Sequence, residues 1–240
     1  MVSMHKKILI ANWKMNGNSE SLKSLAEYYV NMLTGQQAEV VLCPAHPYLS
    51  LVNNITKNSP VKLGAQNIAS FPKGSYTGEV SGEMLTDIGC KYVIIGHYER
   101  RKFFNERGEE IARKIDLAVQ SNLIPILCVG EKLNKRKEGT YLSFIKEQIE
   151  NSQILYQKNA VIAYEPVWSI GTGVIPTVEE IAEVVDMITT MSKAKVLYGG
   201  SVSADNSCLI SDIANLDGFL VGAASLKAEE FHAIYKSLLG

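Results

Sequence analysis

A lysine, a histidine and a glutamate each stand at the end of a short apolar run in this sequence. Lys14 lies two residues after the run at 7–12, and His97 and Glu165 come at the ends of later runs. A carboxylate beside apolar residues costs free energy unless it reaches the surface or has a function. Taken singly, Lys14 is typical of a solvated cation and His97 of a half-buried histidine. Together they could supply a base, a proton donor and a positive charge, which acid–base catalysis on an anionic compound needs.

Two glycine-containing turns offer a place for such an anion. The turns at 199–201 (Gly-Gly-Ser) and 222–223 (Gly-Ala) both precede predicted helices, and glycine lets the backbone approach a ligand closely. Backbone N–H groups at a helix start attract an anion because the helix dipole is positive there. Each turn alone is also typical of an ordinary tight turn. In combination with Lys14, the two turns favour a site for an anionic group.

Eight short runs rich in β-branched residues recur along the chain at fairly even intervals. Most are continuously apolar rather than alternating, which is typical of strands covered on both faces and hence of a parallel sheet. The runs cover residues 7–12, 39–44, 61–66, 92–96, 124–129, 161–165, 196–199 and 218–221.

Segments with helical spacing lie between these runs. Apolar residues with this spacing include Leu22, Leu25, Ala26, Tyr29 and Leu33 after a predicted cap at Ser19, then Ile111, Ala112, Ile115 and Val119, and later Phe231, Ile234, Tyr235 and Leu238. Thr177 and Glu180 form a predicted capping box, in which each side chain accepts from the other's backbone N–H. Ile181, Val184, Val185 and Ile188 then form the predicted buried stripe of that helix.

Alternating strands and helices predict βαβ units, and eight of them predict a closed (β/α)8 barrel, a single α/β domain over residues 1–240. A doubly wound open sheet is the alternative, but no Gly-x-Gly-x-x-Gly follows the first strand. In a barrel the carboxyl ends of the strands meet at one face, so Lys14, His97 and Glu165 are expected to converge there. The loops after strands seven and eight of such barrels commonly bind phosphate.

Composition argues against several other classes of protein. The 240 residues carry a net charge of -1 and are 46% hydrophobic, which argues against disorder and against general binding to nucleic acid or a membrane surface. With no signal-peptide pattern and no apolar stretch long enough to span a membrane, we expect a cytoplasmic location. The cysteines (Cys43, Cys90, Cys128 and Cys208) are scattered, so we expect reduced, mostly buried thiols. Cys43 and His46 have a metal-like spacing but lack a second ligand pair, so no metal is predicted.

Five separated motifs resemble the triosephosphate isomerase family, and they occur in family order. They are Asn-Trp-Lys-Met-Asn at 12–16, Gly-His-x-Glu-Arg-Arg at 96–101, Ala-Tyr-Glu-Pro-Val-Trp at 163–168, Gly-Thr-Gly at 171–173 and Tyr-Gly-Gly-Ser at 198–201. The resemblance runs from about residue 8 to residue 238. It implies interconversion of dihydroxyacetone phosphate and D-glyceraldehyde 3-phosphate through an enediolate, in glycolysis and gluconeogenesis, without a metal or organic cofactor.

The resemblance also implies a role for each site residue. Glu165 would move a proton between adjacent carbons, while neutral His97 would polarise the carbonyl group. Lys14 would offset the negative charge of the phosphate and the enediolate, and Asn12 would donate to the substrate. Glu99 would be a carboxylate close to these catalytic residues that does not itself contact the substrate. The phosphate would lie on the backbone N–H groups of Gly171, Ser201, Gly222 and Ala223.

Two further segments concern the surroundings of the site. Residues 169–175, between Pro166 and Pro176, have the composition of a lid with two short hinges, because prolines restrict both ends and glycines free the middle; the same composition also fits an ordinary βα loop. Family members are usually dimers, and residues 66–68 with the loop at 74–79 resemble the segment that reaches into the partner subunit near the site. The loop is not shortened here, so a homodimer is expected.

Some positions depart from the family pattern. Tyr98 stands where Ser is usual, directly after His97, and could either crowd Glu165 or turn away. On this basis we expect Tyr98→Ser to leave activity equal or to raise it. Ala223 replaces a common Gly, which is tolerable if its φ is negative, and Val-Ile-Pro at 174–176 should stiffen the second hinge.

Two other functions stay open at the level of sequence. A Schiff-base aldolase using Lys14 would be trapped on substrate by borohydride, although the neighbouring Asn12 and the full set of Glu165 and His97 favour the isomerase. A non-catalytic phosphate-binding relative, silenced by Tyr98, would bind phosphate ligands without turnover.

Overall fold

Eight parallel strands close into a barrel in the computed structural model, which describes residues 6–32, 37–170 and 174–240. The strands are β1 (Ile8–Asn12), β2 (Glu39–Cys43), β3 (Lys62–Ala65), β4 (Tyr92–Ile95), β5 (Ile124–Val129), β6 (Val161–Tyr164), β7 (Lys195–Tyr198) and β8 (Gly218–Val221). Each strand pairs with the next, and β1 closes the barrel against β8 with Ile8 opposite Gly218. The eight predicted runs agree with these strands to within one residue at each end, and the (β/α)8 barrel is confirmed.

Ten α-helices surround the barrel in the described part of the chain. They are α1 (Ser19–Met32), α2 (Leu49–Thr56), α3 (Gly82–Ile88), α4 (Tyr98–Phe103), α5 (Gly108–Gln120), α6 (Leu133–Lys137), α7 (Tyr141–Asn151), α8 (Val178–Met191), α9 (Ser207–Ser211) and α10 (Ala228–Ser237). The capping box that begins α8 is confirmed, since Thr177 N donates to Glu180 Oε2 at 2.9 Å and Glu180 N donates to Thr177 Oγ1 at 3.2 Å. None of the described helices is long and apolar enough to cross a membrane.

The first helix begins one residue earlier than the predicted cap implies. Ser19 is already helical, and the side chain of Asn18 accepts from Ser21 N at 2.9 Å. Ser19 as the cap was therefore wrong, because Asn18 satisfies the first free N–H groups of the helix equally well. Leu33, which was assigned to the same apolar stripe, lies outside the described residues.

The buried face of α5 also differs from the prediction. Ile111, Ile115 and Ala118 are buried at i, i+4 and i+7, whereas Val119 is 38% exposed because it lies about 100° further round the helix. Lys114 is buried on this face instead, at 1% exposure. Its charge is neutralised by a residue from outside the helix, described below.

The strands are apolar on both faces because two separate layers of core cover them. Ile8 and Ile10 belong to the layer that fills the barrel interior, whereas Leu9 and Ala11 pack in the larger layer beneath the helices. This arrangement accounts for continuous rather than alternating hydrophobicity. The expectation for cysteines is also confirmed, since all four are free and only Cys208 is exposed.

Candidate active site

The polar residues singled out from sequence meet at the carboxyl ends of the strands. Asn12 is the last residue of β1, Lys14 lies two residues beyond it, and Glu165 directly follows β6. His97 lies two residues beyond β4 and caps α4. All four line one cavity of about 370 Å³, together with the turns at 199–201 and 222–223. The predicted convergence of Lys14, His97 and Glu165 is therefore observed.

Glu165 and His97 are buried and in direct contact. Glu165 Oε1 lies 3.0 Å from His97 Nε2, and the two residues are only 2% and 6% exposed. The other carboxylate oxygen, Oε2, accepts from the backbone N–H of Tyr98 at 3.2 Å. Behind them, burial raises the pKa of the Cys128 thiol well above its usual range, and nearby Glu165 adds to that effect. Cys128 is thus a neutral thiol beside Glu165.

The position of His97 indicates which ring nitrogen carries the proton. Its Nδ1 accepts from the backbone N–H of Glu99 at 3.3 Å, at the start of α4. A neutral ring with Nδ1 as acceptor must carry its proton on Nε2, the atom that faces Glu165. The Glu99 carboxylate also approaches Nδ1, at 3.4 Å for Oε2. The backbone bond is the shorter of the two contacts.

Lys14 is held at the rim of the cavity by contacts on its backbone and its side chain. Its φ of +53° lies in the left-handed region, which costs a non-glycine residue of order 1 kcal/mol and is typical of functional sites. Lys14 N donates to Asn12 Oδ1 at 3.1 Å, and its carbonyl accepts from Gln66 Nε2 at 2.9 Å. Gly222 leaves room for the side chain, since a Cβ there would lie 3.3 Å from Lys14 Cε.

Glu99 pairs with the lysine and stays ionised. Lys14 Nζ lies 2.7 Å from Glu99 Oε1. Burial by itself would raise the pKa of Glu99, but the hydrogen bond from Lys14 and the nearby His97 outweigh it, so the pKa is lowered. Glu99 therefore carries a negative charge at neutral pH and fixes the ammonium group of Lys14 between the cavity and the solvent.

The turns predicted to hold an anion line the same cavity, and Gly222 lies beside the Lys14 side chain. Ala223 begins a short 3-10 turn (Ala223–Leu226), which has negative φ, so its methyl group is tolerated as expected. Gly200 must lack a side chain, since a Cβ there would lie 2.2 Å from Tyr198 Oη. Ser201 Oγ donates to the carbonyl of Ser169 at 2.9 Å, which joins these turns to the segment before residue 171. Gly171 itself lies outside the described residues, as do residues 172–173 of the predicted lid.

A fully buried glutamate at the end of β5 was missed by the sequence reasoning. Glu131 Oε1 accepts from Trp168 Nε1 at 2.7 Å and from Tyr164 Oη at 3.1 Å, while Arg136 Nη1 stays 3.9 Å away. Burial raises the pKa of Glu131 because these donors and Arg136 only partly offset it. The signal that pointed to Glu165, an acidic residue just after an apolar run, is also present at Glu131, which follows the fifth run. The residues after that run were not considered as candidates for the site.

A second missed group supports the turn that carries His97. Glu106 Oε1 accepts from Gly96 N at 3.0 Å, and its Oε2 lies 2.7 Å from Lys114 Nζ and 2.6 Å from Arg100 Nε. Burial would raise the pKa of Glu106, but Lys114 and then Arg100 outweigh it and the pKa is lowered. The turn before His97 is therefore anchored on a buried ion cluster. No group of side chains in the described ranges could hold a metal ion.

Comparison with known proteins agrees with this geometry. The family model "Triosephosphate isomerase" matches residues 7–238. A triosephosphate isomerase from Wolbachia sp. subsp. Brugia malayi is 42% identical over 236 residues, covering 96% of this chain and 97% of the relative. One from Rhodopirellula baltica is 42% identical over 250 residues, covering 98% of both. The crystal structure of the enzyme from Bartonella henselae superposes with a TM-score of 0.89 at 34% identity, covering 97% of this chain and 99% of that one.

Proposed function

Since the chain belongs to the triosephosphate isomerase family and interconverts dihydroxyacetone phosphate and glyceraldehyde 3-phosphate in glycolysis, we propose that Glu165 is the base of this isomerisation. The observation that carries the proposal is the 3.0 Å contact between Glu165 Oε1 and His97 Nε2 inside the cavity. A base and a proton donor in contact inside one cavity can act on adjacent atoms of one small substrate.

The reaction follows from the atoms that face the cavity. Glu165 removes a proton from the hydroxymethyl carbon of dihydroxyacetone phosphate, and the electron pair moves to the carbonyl oxygen. His97 Nε2–H, released from Glu165 as the substrate enters, donates to that oxygen and stabilises the enediolate. Proton exchange between the two oxygens through His97, and return of the proton from Glu165 to the neighbouring carbon, complete the isomerisation. A positioned base contributes about 10²–10⁴ in rate, so charge stabilisation must supply much of the rest.

Lys14 and Asn12 supply that stabilisation in this proposal. The ammonium group, fixed at 2.7 Å from Glu99, offsets the charge of both the phosphate and the enediolate. Asn12 Oδ1 accepts from Lys14 N, which orients the carboxamide group. Its NH2, the only donor of this side chain, is proposed to donate to the substrate. Glu99 is a positioning residue, because it acts through Lys14 and His97. A Schiff base would instead need a free neutral amine at Lys14, whose Nζ is engaged by Glu99.

The phosphate is proposed to lie on the wall formed by the turns at 199–201 and 222–223, next to Lys14. The backbone N–H groups of Ser201, Gly222 and Ala223 stand at the beginnings of turns and helices after β7 and β8, where the local dipoles favour an anion. Gly171 is proposed as the fourth contact on the basis of the family resemblance. The lid over residues 169–175 likewise stays a prediction.

A homodimer that uses the loop at 74–79 is also proposed. Several large apolar side chains are exposed near the loop and the site: Met15, Phe71, Tyr76, Phe103 and Phe104. Phe71 and Tyr76 stack at 4.0 Å between ring centroids, which makes the loop a rigid apolar projection. A cavity of about 460 Å³ lined by Met15, Phe103 and Phe104 also includes Asn12, Lys14 and His97, and would accept such a projection from a second copy. Sedimentation at micromolar concentration should give twice the mass of one chain, and a single chain mass would contradict this.

A cytoplasmic location remains a proposal supported by the free cysteines. Fractionation of cells that make the protein, with activity recovered outside the cytoplasmic fraction, would contradict it.

The roles proposed for the site are tested by replacing the base. Glu165→Gln keeps the shape of the side chain but cannot accept a carbon-bound proton, so kcat should fall by about 10²–10⁴ in a coupled assay run in both directions. Glu27→Gln, on the exposed face of α1, serves as the matched control and should keep parental kinetics. A Glu165→Gln variant that retains more than a tenth of parental kcat would refute Glu165 as the base.

A further inference from the structure

Tyr98 begins α4 next to His97, where the family usually has a serine. Its ring faces the catalytic residues on one side and a second cavity on the other. We propose that Tyr98 is a wall and positioning residue of the active site, which separates the catalytic cavity from the second cavity and holds the Lys14–Glu99 ion pair. The inference rests on the roles proposed above for Lys14, His97 and Glu165.

The first observation is the pair of neighbouring cavities. The catalytic cavity has a volume of about 370 Å³, and a second cavity of about 430 Å³ lies among α4, α5 and α7. The second cavity is lined by Ile111, Phe144 and Val167 together with charged residues. Among the described residues that line these two cavities, Tyr98 is the one they share. A small residue at this position would remove the side chain between them and let water pass.

The second observation is how closely the phenol packs against the catalytic group. Lys14 Nζ lies over the Tyr98 ring at 5.5 Å from its centroid, within the range of a cation–π contact. The His97 and Tyr98 rings are 5.0 Å apart at an angle of 42°. Burial raises the pKa of Tyr98 to about 12, and the adjacent Glu99 carboxylate contributes to this shift. The hydroxyl group therefore stays protonated and can donate to Glu99, which in turn holds Lys14.

The third observation is that Glu165 does not depend on the Tyr98 side chain. The donor to Glu165 Oε2 is the backbone N–H of Tyr98, which every substitution except proline preserves. The ring itself lies against Lys14 and His97. The expectation from sequence, that Tyr98→Ser leaves activity equal or higher, allowed for a ring that either crowds Glu165 or turns away. These contacts argue against that expectation. We propose instead that Tyr98→Ser weakens substrate binding and increases the loss of phosphate from the intermediate.

The wall has a chemical consequence that can be measured. The enediolate carries its phosphate on the next carbon. If the enediolate electron pair forms a new C=C bond there, the C–O bond breaks, and phosphate leaves with its bonding electrons. The resulting enol tautomerises to methylglyoxal, so each event converts one triose phosphate into methylglyoxal and inorganic phosphate. Water beside the leaving phosphate favours this elimination, and a dry site suppresses it.

The test compares Tyr98→Phe, Tyr98→Ser and Tyr98→Leu with the parent. Each is assayed for kcat, KM and the ratio of phosphate released to substrate isomerised. Tyr98→Phe keeps the ring and should keep the ratio within about twofold of the parent. Tyr98→Ser should raise the ratio at least about tenfold by admitting water, and should raise KM about threefold by freeing Lys14. Tyr98→Leu should raise the ratio as well, because leucine also lacks the ring. Since its side chain is larger and more apolar than that of serine, it replaces Tyr98→Ser in the test if that variant does not fold.

The control is Tyr156→Ser, since Tyr156 is 82% exposed and remote from the cavity lining. It should leave all three quantities unchanged. A ratio in both Tyr98→Ser and Tyr98→Leu equal to the parental one would overturn the proposal, even if kcat fell, because a purely structural defect lowers both products in parallel. Failure of the proposed catalytic roles is seen separately, in Glu165→Gln on the parental Tyr98 background.

Discussion

The buried cluster of Glu106, Lys114 and Arg100 beneath the His97 turn can be tested by removing one of its charges. Lys114→Met keeps most of the side-chain volume but removes the ammonium group. Glu106, whose side chain is 1% exposed, then keeps only Arg100 and the backbone N–H of Gly96 as the partners described above. Breaking a buried ion pair from one side costs about 3–5 kcal/mol when the remaining charge is uncompensated, and we expect the lower value because Arg100 still pairs with Glu106. For a chain of this length, the lower value corresponds to a fall in Tm of about 6–12 °C.

The pH dependence of this loss has a defined sign. Lys114 and Arg100 hold the pKa of Glu106 below its usual value despite burial. A carboxyl group with a lowered folded pKa stabilises the fold above its unfolded pKa, about 4.3, and loses that contribution as pH falls through the folded value. Lys114→Met removes the residue that does most to lower the pKa of Glu106 against the effect of burial. Glu106 therefore takes up a proton more readily in the folded variant. The difference in stability should therefore be full at pH 7 and shrink below about pH 4.5.

The assay is denaturant unfolding at one protein concentration, at pH 7 and at about pH 3.5, where the difference should be smaller. Glu110→Gln is the matched control, since Glu110 also pairs with Lys114, at 3.1 Å, but is 34% exposed, and should cost less than about 1 kcal/mol. The double variant Glu106→Gln with Lys114→Met should recover part of the loss, because a neutral pair leaves no buried charge uncompensated. A cost for Lys114→Met below about 1 kcal/mol, or a double variant no more stable than the single one, would refute the reasoning.

Two further changes probe α8 and the β7 turn. Thr177→Ala removes the capping bond to α8 and should lower stability by about 1 kcal/mol, whereas Thr140→Ala should not, since Thr140 makes no capping bond to α7. Equal losses measured by denaturant unfolding would count against the capping argument. Gly200→Ala places a Cβ at 2.2 Å from Tyr198 Oη, so the turn must shift and KM should rise about tenfold, while Gly108→Ala should be neutral. Unchanged KM in Gly200→Ala would show that the turn does not position the phosphate.

The sequence was sufficient for the barrel and for the convergence of the site. Strands such as β1 are covered on both faces, and this leaves a continuous apolar run that local pattern can identify. Once the strands are ordered in a barrel, topology alone brings residues that follow β1, β4 and β6 to one face. The convergence of Lys14, His97 and Glu165 thus needed no information on side-chain contacts.

What the sequence left out depends on contacts between distant segments. Lys114 interrupts an apolar stripe, and its burial is understood only when Glu106, from the preceding loop, is placed beside it. The pose of Tyr98 depends on the space left by Lys14 and by a second cavity, neither of which has a local signal. Val119 was misplaced for a simpler reason, since i+7 and i+8 both fit an apolar stripe, and Ala118 is the one that α5 buries.

Three glutamates that follow strands show how the fold gives the same type of side chain different environments. Glu165 lies 3.0 Å from His97 Nε2 and accepts from the backbone N–H of Tyr98, so its contacts are an imidazole and a peptide group rather than an ammonium group. Glu99 is bound to the ammonium of Lys14, and its lowered pKa commits it to permanent charge. Glu131 is enclosed with a phenol and an indole and has its pKa raised. A glutamate that follows a strand is therefore a candidate for the site. The groups that other segments place beside it decide whether it acts as a base, as a counter-charge or as a buried hydrogen-bond acceptor.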